Sequence, residues 1–152
     1  MSIKTTTHLN FRGTAEEALK FYQSVFGGQL EIARYRDFGM PKELPDAEQV
    51  VFGQLESEDG FRVMAYDIPG SQGGDPQLIA GSTQRQNGMT LTDRTFFQSV
   101  RAETLEEVTH YWARLSQGAT VLEPLAASAW SAGFGMLTDQ FGVTWILDVQ
   151  SS

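Results

Sequence analysis

Two histidines, His8 and His110, are the only imidazoles in a chain of 152 residues that contains no cysteine. A cysteine nucleophile, a thiolate zinc site and a disulfide framework are therefore excluded, and the composition suits a reducing, cytoplasmic compartment. Carboxylates are more plentiful. Glu16-Glu17 and Glu106-Glu107 are adjacent pairs, and Asp148, Glu56 or Tyr66 would serve as a general base if burial tuned them. No Gly-x-Ser-x-Gly elbow is present to carry a serine nucleophile. Gly133-x-Gly135 lacks the third glycine and the following helix of a dinucleotide-binding turn.

The elements that must position these residues come in two copies. TAEEALKFYQSVF, from Thr14 to Phe26, places Ala15, Ala18, Leu19, Tyr22, Val25 and Phe26 on one helical stripe. TLEEVTHYWARLSQ, from Thr104 to Gln117, does the same with Leu105, Val108, Tyr111, Trp112 and Leu115. Thr14 with Glu17, and Thr104 with Glu107, have capping-box spacing, and Gly27-Gly28 and Gly118 stop the helices. That place in the first turn makes both glutamate pairs capping and dipole partners rather than catalytic dyads. His110 falls on the polar side of the second helix.

Phe21-Tyr22 aligns with Tyr111-Trp112 at an offset of 90 residues. Further on, FGQLESEDGF from Phe52 and FGMLTDQFGV from Phe134 align at an offset of 82. The difference fits a longer loop in the first copy, Asp37 to Glu48, where two prolines and a glycine break regular structure. One strand is expected before each helix, at about Thr5–Arg12 and Thr95–Ala102. Three are expected after it, at Gln29–Arg36, Gln49–Glu56 and Phe61–Ile68, then Thr120–Leu125, Gly133–Thr138 and Thr144–Val149. Each copy thus reads β-α-β-β-β. The expected organisation is one α+β domain, with module one at 1–68, a glycine-rich polar connector at 69–93 and module two at 94–152.

Eleven basic against nineteen acidic residues give a net charge of −8. Phosphate-driven nucleic-acid binding would be repulsive, and no apolar stretch approaches the ~18 residues of a membrane span. The polar start, MSIKTTTHLN, has no signal-peptide core. Neither nucleic acid nor membrane is an expected partner.

Tandem β-α-β-β-β copies, with HLNFRGTAEEALKFYQSVFGG (His8 to Gly28) and FGMLTDQFGVTWILDV (Phe134 to Val149), resemble the vicinal oxygen chelate superfamily of glyoxalases, bleomycin resistance proteins and extradiol dioxygenases, and within it the PhnB-like branch. The resemblance implies a glyoxalase-like open barrel, a homodimer, and a divalent metal held by one residue from the first and last strand of each module. The repeat offsets then assign those positions to His8, Met64, Gln98 and Ile146. Strand parity sets His8 with Thr6, Asn10 and Arg12, Met64 with Arg62 and Tyr66, and Ile146 with Thr144 and Asp148. Gln98 fits least well, because Phe96 and Val100 share its face.

His8 and Gln98 are the two metal-ligating candidates in that set, since Ile146 cannot coordinate and the thioether of Met64 prefers soft ions. Asp148 lies two residues along its strand, ~6.6 Å from the ligand position. The expected pocket has Phe52, Met64, Tyr66, Trp130, Phe134, Met136 and Ile146 as walls, with His8, Gln54, Arg62 and Gln98 orienting a small-molecule ligand and Trp130 stacking on it. Two functions follow from the resemblance. One is a metal-free small-molecule binder with a degenerate metal site; the other is a metal-dependent or acid-base lyase, isomerase or dioxygenase.

Overall fold

Strand β1 (Thr7–Phe11) leads into helix α1 (Ala15–Phe26), and β2 (Gln29–Arg34), β3 (Val50–Glu56) and β4 (Arg62–Asp67) complete the first module. The computed structural model describes residues 2–70 and 83–150. Next come two short strands, β5 (Gln84–Gln86) and β6 (Met89–Leu91), paired as an antiparallel ribbon. The second module is β7 (Gln98–Ala102), α2 (Leu105–Leu115), β8 (Thr120–Ala126), β9 (Phe134–Thr138) and β10 (Thr144–Val149). The chain divides into two compact units, Met1–Gly74 and Asp75–Ser152, and the β5–β6 ribbon belongs to the second. Of the expected connector, residues 71–82 lie outside the described residues; the remainder contains this ribbon, which hydrophobic periodicity did not indicate.

The fold is α+β, and both modules are β-α-β-β-β. Sheet order is β1-β4-β3-β2 in one and β7-β10-β9-β8 in the other. First and last strands run parallel, and the other neighbours are antiparallel. A parallel pair needs a long crossover, which the helix and the intervening strands provide.

One face of each sheet is spent on its helix. In module one, Ala18, Leu19, Tyr22 and Val25 of α1 are buried, as are Leu9, Phe11, Leu55, Val63 and Ala65 of the strands. In module two, Val108 and Leu115 of α2 are buried, as are Leu137, Trp145, Leu147 and Val149 of the sheet. The repeated Phe-Gly-x-Leu motif is a consequence of this packing. A Cβ on Gly53 would collide with Leu19 Cδ1 and lie 3.0 Å from the Ala65 carbonyl oxygen; one on Gly135 would lie 2.7 Å from the Trp112 ring. Each glycine removes a side chain from the helix-facing side of the third strand, so that a large helix residue can approach the backbone. The following leucines, Leu55 and Leu137, are fully buried on the same side, whereas Phe52 and Phe134 take the far face. Gly60 and Gly142 close the next turns at φ +101° and +92°, a region that glycine enters freely.

The two helix caps differ. Thr104 forms the expected cap, its Oγ1 accepting from Glu107 N at 3.1 Å. Thr14 makes no side-chain cap bond. The buried Asp67 at the end of β4 takes its place: Oδ1 accepts from Gly13 N and Ala15 N at 3.0 Å, and Oδ2 from Val50 N at 2.9 Å. A carboxylate is a stronger acceptor than a hydroxyl and favours the positive end of the helix. Glu16 is drawn sideways into a two-point pair with Arg34 of β2, with contacts of 2.9 and 3.1 Å, and a further contact to Lys20.

Gly53→Ala and Gly135→Ala should each cost roughly 1–3 kcal/mol by overpacking. Equilibrium urea unfolding measures this, and an unchanged midpoint would refute the close-approach role. The hydrogen bond from Arg34, with a smaller one from Lys20, holds the Glu16 carboxyl below its ordinary value of 4.5. Its contribution is therefore complete above that value and is lost as pH falls through the lower folded pKa. The melting-temperature gap between wild type and Glu16→Gln should be open at about pH 7 and should narrow as the pH falls below 4.5; a gap independent of pH would contradict the pair.

Candidate functional site

On the far face of the first sheet, strand register lines up His8, Met64, Gln54 and Glu31 in one row, with Asn10 beside Tyr66 in the next. His8 is exposed. Its Nδ1 donates to Asn10 Oδ1 at 2.9 Å, and its ring meets Tyr66 edge-on at 5.3 Å. That hydrogen bond anchors Nδ1 and leaves Nε2 as the ring nitrogen without a protein partner in this contact. Arg62 is turned along the strands, donating to Thr6 Oγ1 at 3.0 Å and to the Thr5 carbonyl at 2.8 Å. Gln54 Nε2 donates to Glu56 Oε2 at 3.3 Å. Five sequence-predicted residues, His8, Gln54, Arg62, Met64 and Tyr66, therefore share one face.

In the second sheet the register corrects one assignment. Gln98 pairs with Trp145, and Ser99 is the partner of Ile146. His8 pairs with Met64, so its structural counterpart is Ser99, and Gln98 projects to the helix side with Val100 and Ala102. The cause is one residue of chain. Phe11 is followed by Arg12 and Gly13 before the cap at Thr14, whereas Ala102 is followed by Glu103 alone before Thr104. An alignment anchored on the helices thus slips by one in the strands, and a slip of one exchanges the faces. The company of Phe96 and Val100 was the sequence signal of this error.

Ser99, Ile146, Met136 and Glu123 form the row matching that of His8. Next to it, Asp148 pairs with Arg101 on one side and Phe134 on the other. Asp148 is only 5% exposed and takes both contacts of a fork from Arg101, at 3.1 and 3.0 Å. This pair raises the pKa of the Arg101 guanidinium, chiefly through the hydrogen bond. Trp130 is 62% exposed and meets Phe134 edge-on at 5.6 Å. Met136 is fully buried.

The ribbon adds residues that periodicity could not find. Arg85 of β5 donates through Nε and Nη2 to Glu123 Oε1, at 3.1 and 3.0 Å, and its guanidinium carbon stands 5.2 Å from the Phe134 ring centre. Thr90 of β6 donates to the Met136 sulfur at 3.5 Å. Elsewhere, a cleft of about 390 Å³ at the start of α1 is lined by Glu16, Glu17, Arg34, Glu48 and Asp67 among others. None of the predicted pocket residues lines it; Glu16 and Arg34 are paired with each other there, and Asp67 is taken up by backbone N–H groups. Among the described residues, no three His, Asp or Glu groups cluster as metal ligands.

A family model described as "Glyoxalase/Bleomycin resistance protein/Dioxygenase superfamily" matches residues 7–147. The chain belongs to this superfamily. Protein YjdN of Escherichia coli K12 is 26% identical over 145 residues, covering 93% of this chain and 92% of its own. The structure of a Bacillus cereus PhnB protein, a putative 3-demethylubiquinone-9 3-methyltransferase, is 27% identical with a TM-score of 0.67, over 97% of this chain and all of its own. Protein PA1353 from Pseudomonas aeruginosa shares the fold at a TM-score of 0.74 and 24% identity, over 99% and 100% of the two chains. The glyoxalase-like fold and the PhnB-like likeness are thus both present. Among the described residues, no helix of this superfamily member is long and apolar enough to cross a membrane.

Truncating Arg101 strands a buried carboxylate. Arg101→Ala should therefore lower the melting temperature at neutral pH, and the loss should shrink in an Asp148→Asn background. Equal losses in both backgrounds, measured as a double-mutant cycle, would show no coupling.

Proposed function

We propose that the chain is a small-molecule-binding member of the superfamily that works without a divalent metal, as a cytoplasmic homodimer. One observation carries this reading: the side chains at the first- and last-strand positions are His8 and Met64 in one module and Ser99 and Ile146 in the other. Neither pair fits a hard divalent ion: the first supplies an imidazole and a thioether, the second a neutral hydroxyl alone, and neither has a carboxylate to balance the charge. Asp148 does not repair this, because both its oxygens are held by Arg101. What these rows offer is a mixed surface of aromatic, sulfur and polar groups, the usual make-up of a small-molecule site. The resistance proteins named in the family description support binding as a function on this scaffold.

The orientation of His8 favours a second, enzymatic reading. With Nδ1 anchored on Asn10, Nε2 is the ring nitrogen left to exchange a proton in an acid-base lyase or isomerase. Turnover without metal that is abolished in His8→Gln would select it.

Protein purified without added metal should contain substoichiometric transition metal and gain no thermal stability from zinc, nickel or manganese. A screen of aromatic and cationic compounds should give at least one stabilising ligand. Stoichiometric metal with metal-dependent turnover, and no stabilising ligand, would refute the proposal. Sedimentation at micromolar concentration should exceed the 16.8 kDa of one chain, and a monomer would remove the dimer from it.

A further inference from the structure

We propose that Arg85 is a built-in stand-in for the ligand, and that the Phe134–Glu123 site beneath it takes a planar organic cation of the amidinium or guanidinium type. The inference rests on the binding reading above and names the ligand class. Arg85 touches the second sheet as such a ligand would. Its guanidinium is over an aromatic face at 5.2 Å, and two of its N–H groups converge on one carboxylate oxygen. Its side chain is only 11% exposed, although it comes from a ribbon whose other side chains, Thr90 apart, are exposed.

The support under Arg85 is complementary to a cation independently of Arg85 itself. The Phe134 ring presents the negative face of its quadrupole, and Glu123 supplies the charge. Trp130, edge-on to Phe134 and largely exposed, borders the site with a second aromatic surface. The cover is weakly founded. A two-stranded ribbon of three residues per strand is marginal alone, and the two register partners that face the sheet, Arg85 and Thr90, are its anchors. Nη1 of Arg85 also donates to Gly88 O and Thr90 Oγ1, which ties the guanidinium to its own turn. Displacing the guanidinium therefore releases the ribbon, and the occupied state lowers apparent affinity for any competing cation.

Benzamidine, a planar aromatic amidinium, is the probe, and benzoate is its anionic counterpart; titration calorimetry reads both. Arg85→Ala should bind benzamidine on the order of tenfold more tightly than wild type, because the internal competitor is gone. Benzoate should gain nothing, and adding Glu123→Gln should cancel the benzamidine gain. If Arg85→Ala fails to fold by circular dichroism, Thr90→Val decides: it loosens the ribbon while leaving Phe134 and Glu123 intact, and should give a smaller gain of the same sign. No gain in a folded variant, an equal gain for benzoate, or a gain that survives Glu123→Gln would each overturn the inference. If the compound screen yields a ligand that stabilises the wild type while benzamidine gains nothing, small-molecule binding stands and the stand-in role of Arg85 falls.

Discussion

Each module depends on how closely a helix can approach the middle of a four-stranded sheet. Removing the Cβ at Gly53 and at Gly135 lets Leu19 and Trp112 reach the strand backbone. Apolar area buried there, at about 25 cal/mol per Å², is the main stabilisation available to each unit. With the large aliphatic residues drawn to the helix side, the far face is left to alternating residues of mixed character. It is therefore a surface of imidazole, phenol, thioether, guanidinium and carboxylate groups. That division follows from the two-residue period of strands and needs no functional selection.

Parallel pairing of first and last strands fixes what lies beside what on that face. Met64 and Ile146 are separated from their first-strand partners by one strand spacing, about 4.8 Å, so the identity of the partner determines the local chemistry. In module one it is an imidazole oriented by Asn10; in module two it is a serine hydroxyl. The modules have also handled charge differently. The first buries Asp67 under three backbone N–H groups as a helix cap, and the second buries Asp148 under a guanidinium. Both carboxylates are satisfied by the protein itself, which makes each of them a structural anion before it is anything else.

Much of this was legible in the sequence, and the failures have specific causes. Helical stripes, turn glycines and the duplicated Phe-Gly-x-Leu placed both helices and eight strands within a few residues, because burial on one face imposes periods that composition records. Gln98 was misplaced because a helix tolerates a one-residue change in the loop before it, whereas strand faces do not. The Asp67 cap was hidden because its partners lie 52 and 54 residues away in sequence, and capping signatures are local. Arg85 and Thr90 were invisible for a third reason. A three-residue strand in a polar, glycine-rich segment carries too few residues to show any period.

That third failure explains why the ribbon matters chemically. The ribbon's apolar residues, Met89 and Leu91, are exposed, so it meets the sheet through particular polar and cation–π contacts instead, here one guanidinium and one hydroxyl. Such contacts are worth about 1 kcal/mol each when partly exposed, an amount that a small ligand of matching chemistry can replace. Hydrophobic docking would have made the ribbon part of the core. Docking by arginine instead makes it competitive with whatever resembles arginine, and this ties a short two-stranded element of the second unit to the choice of what Phe134 and Glu123 bind.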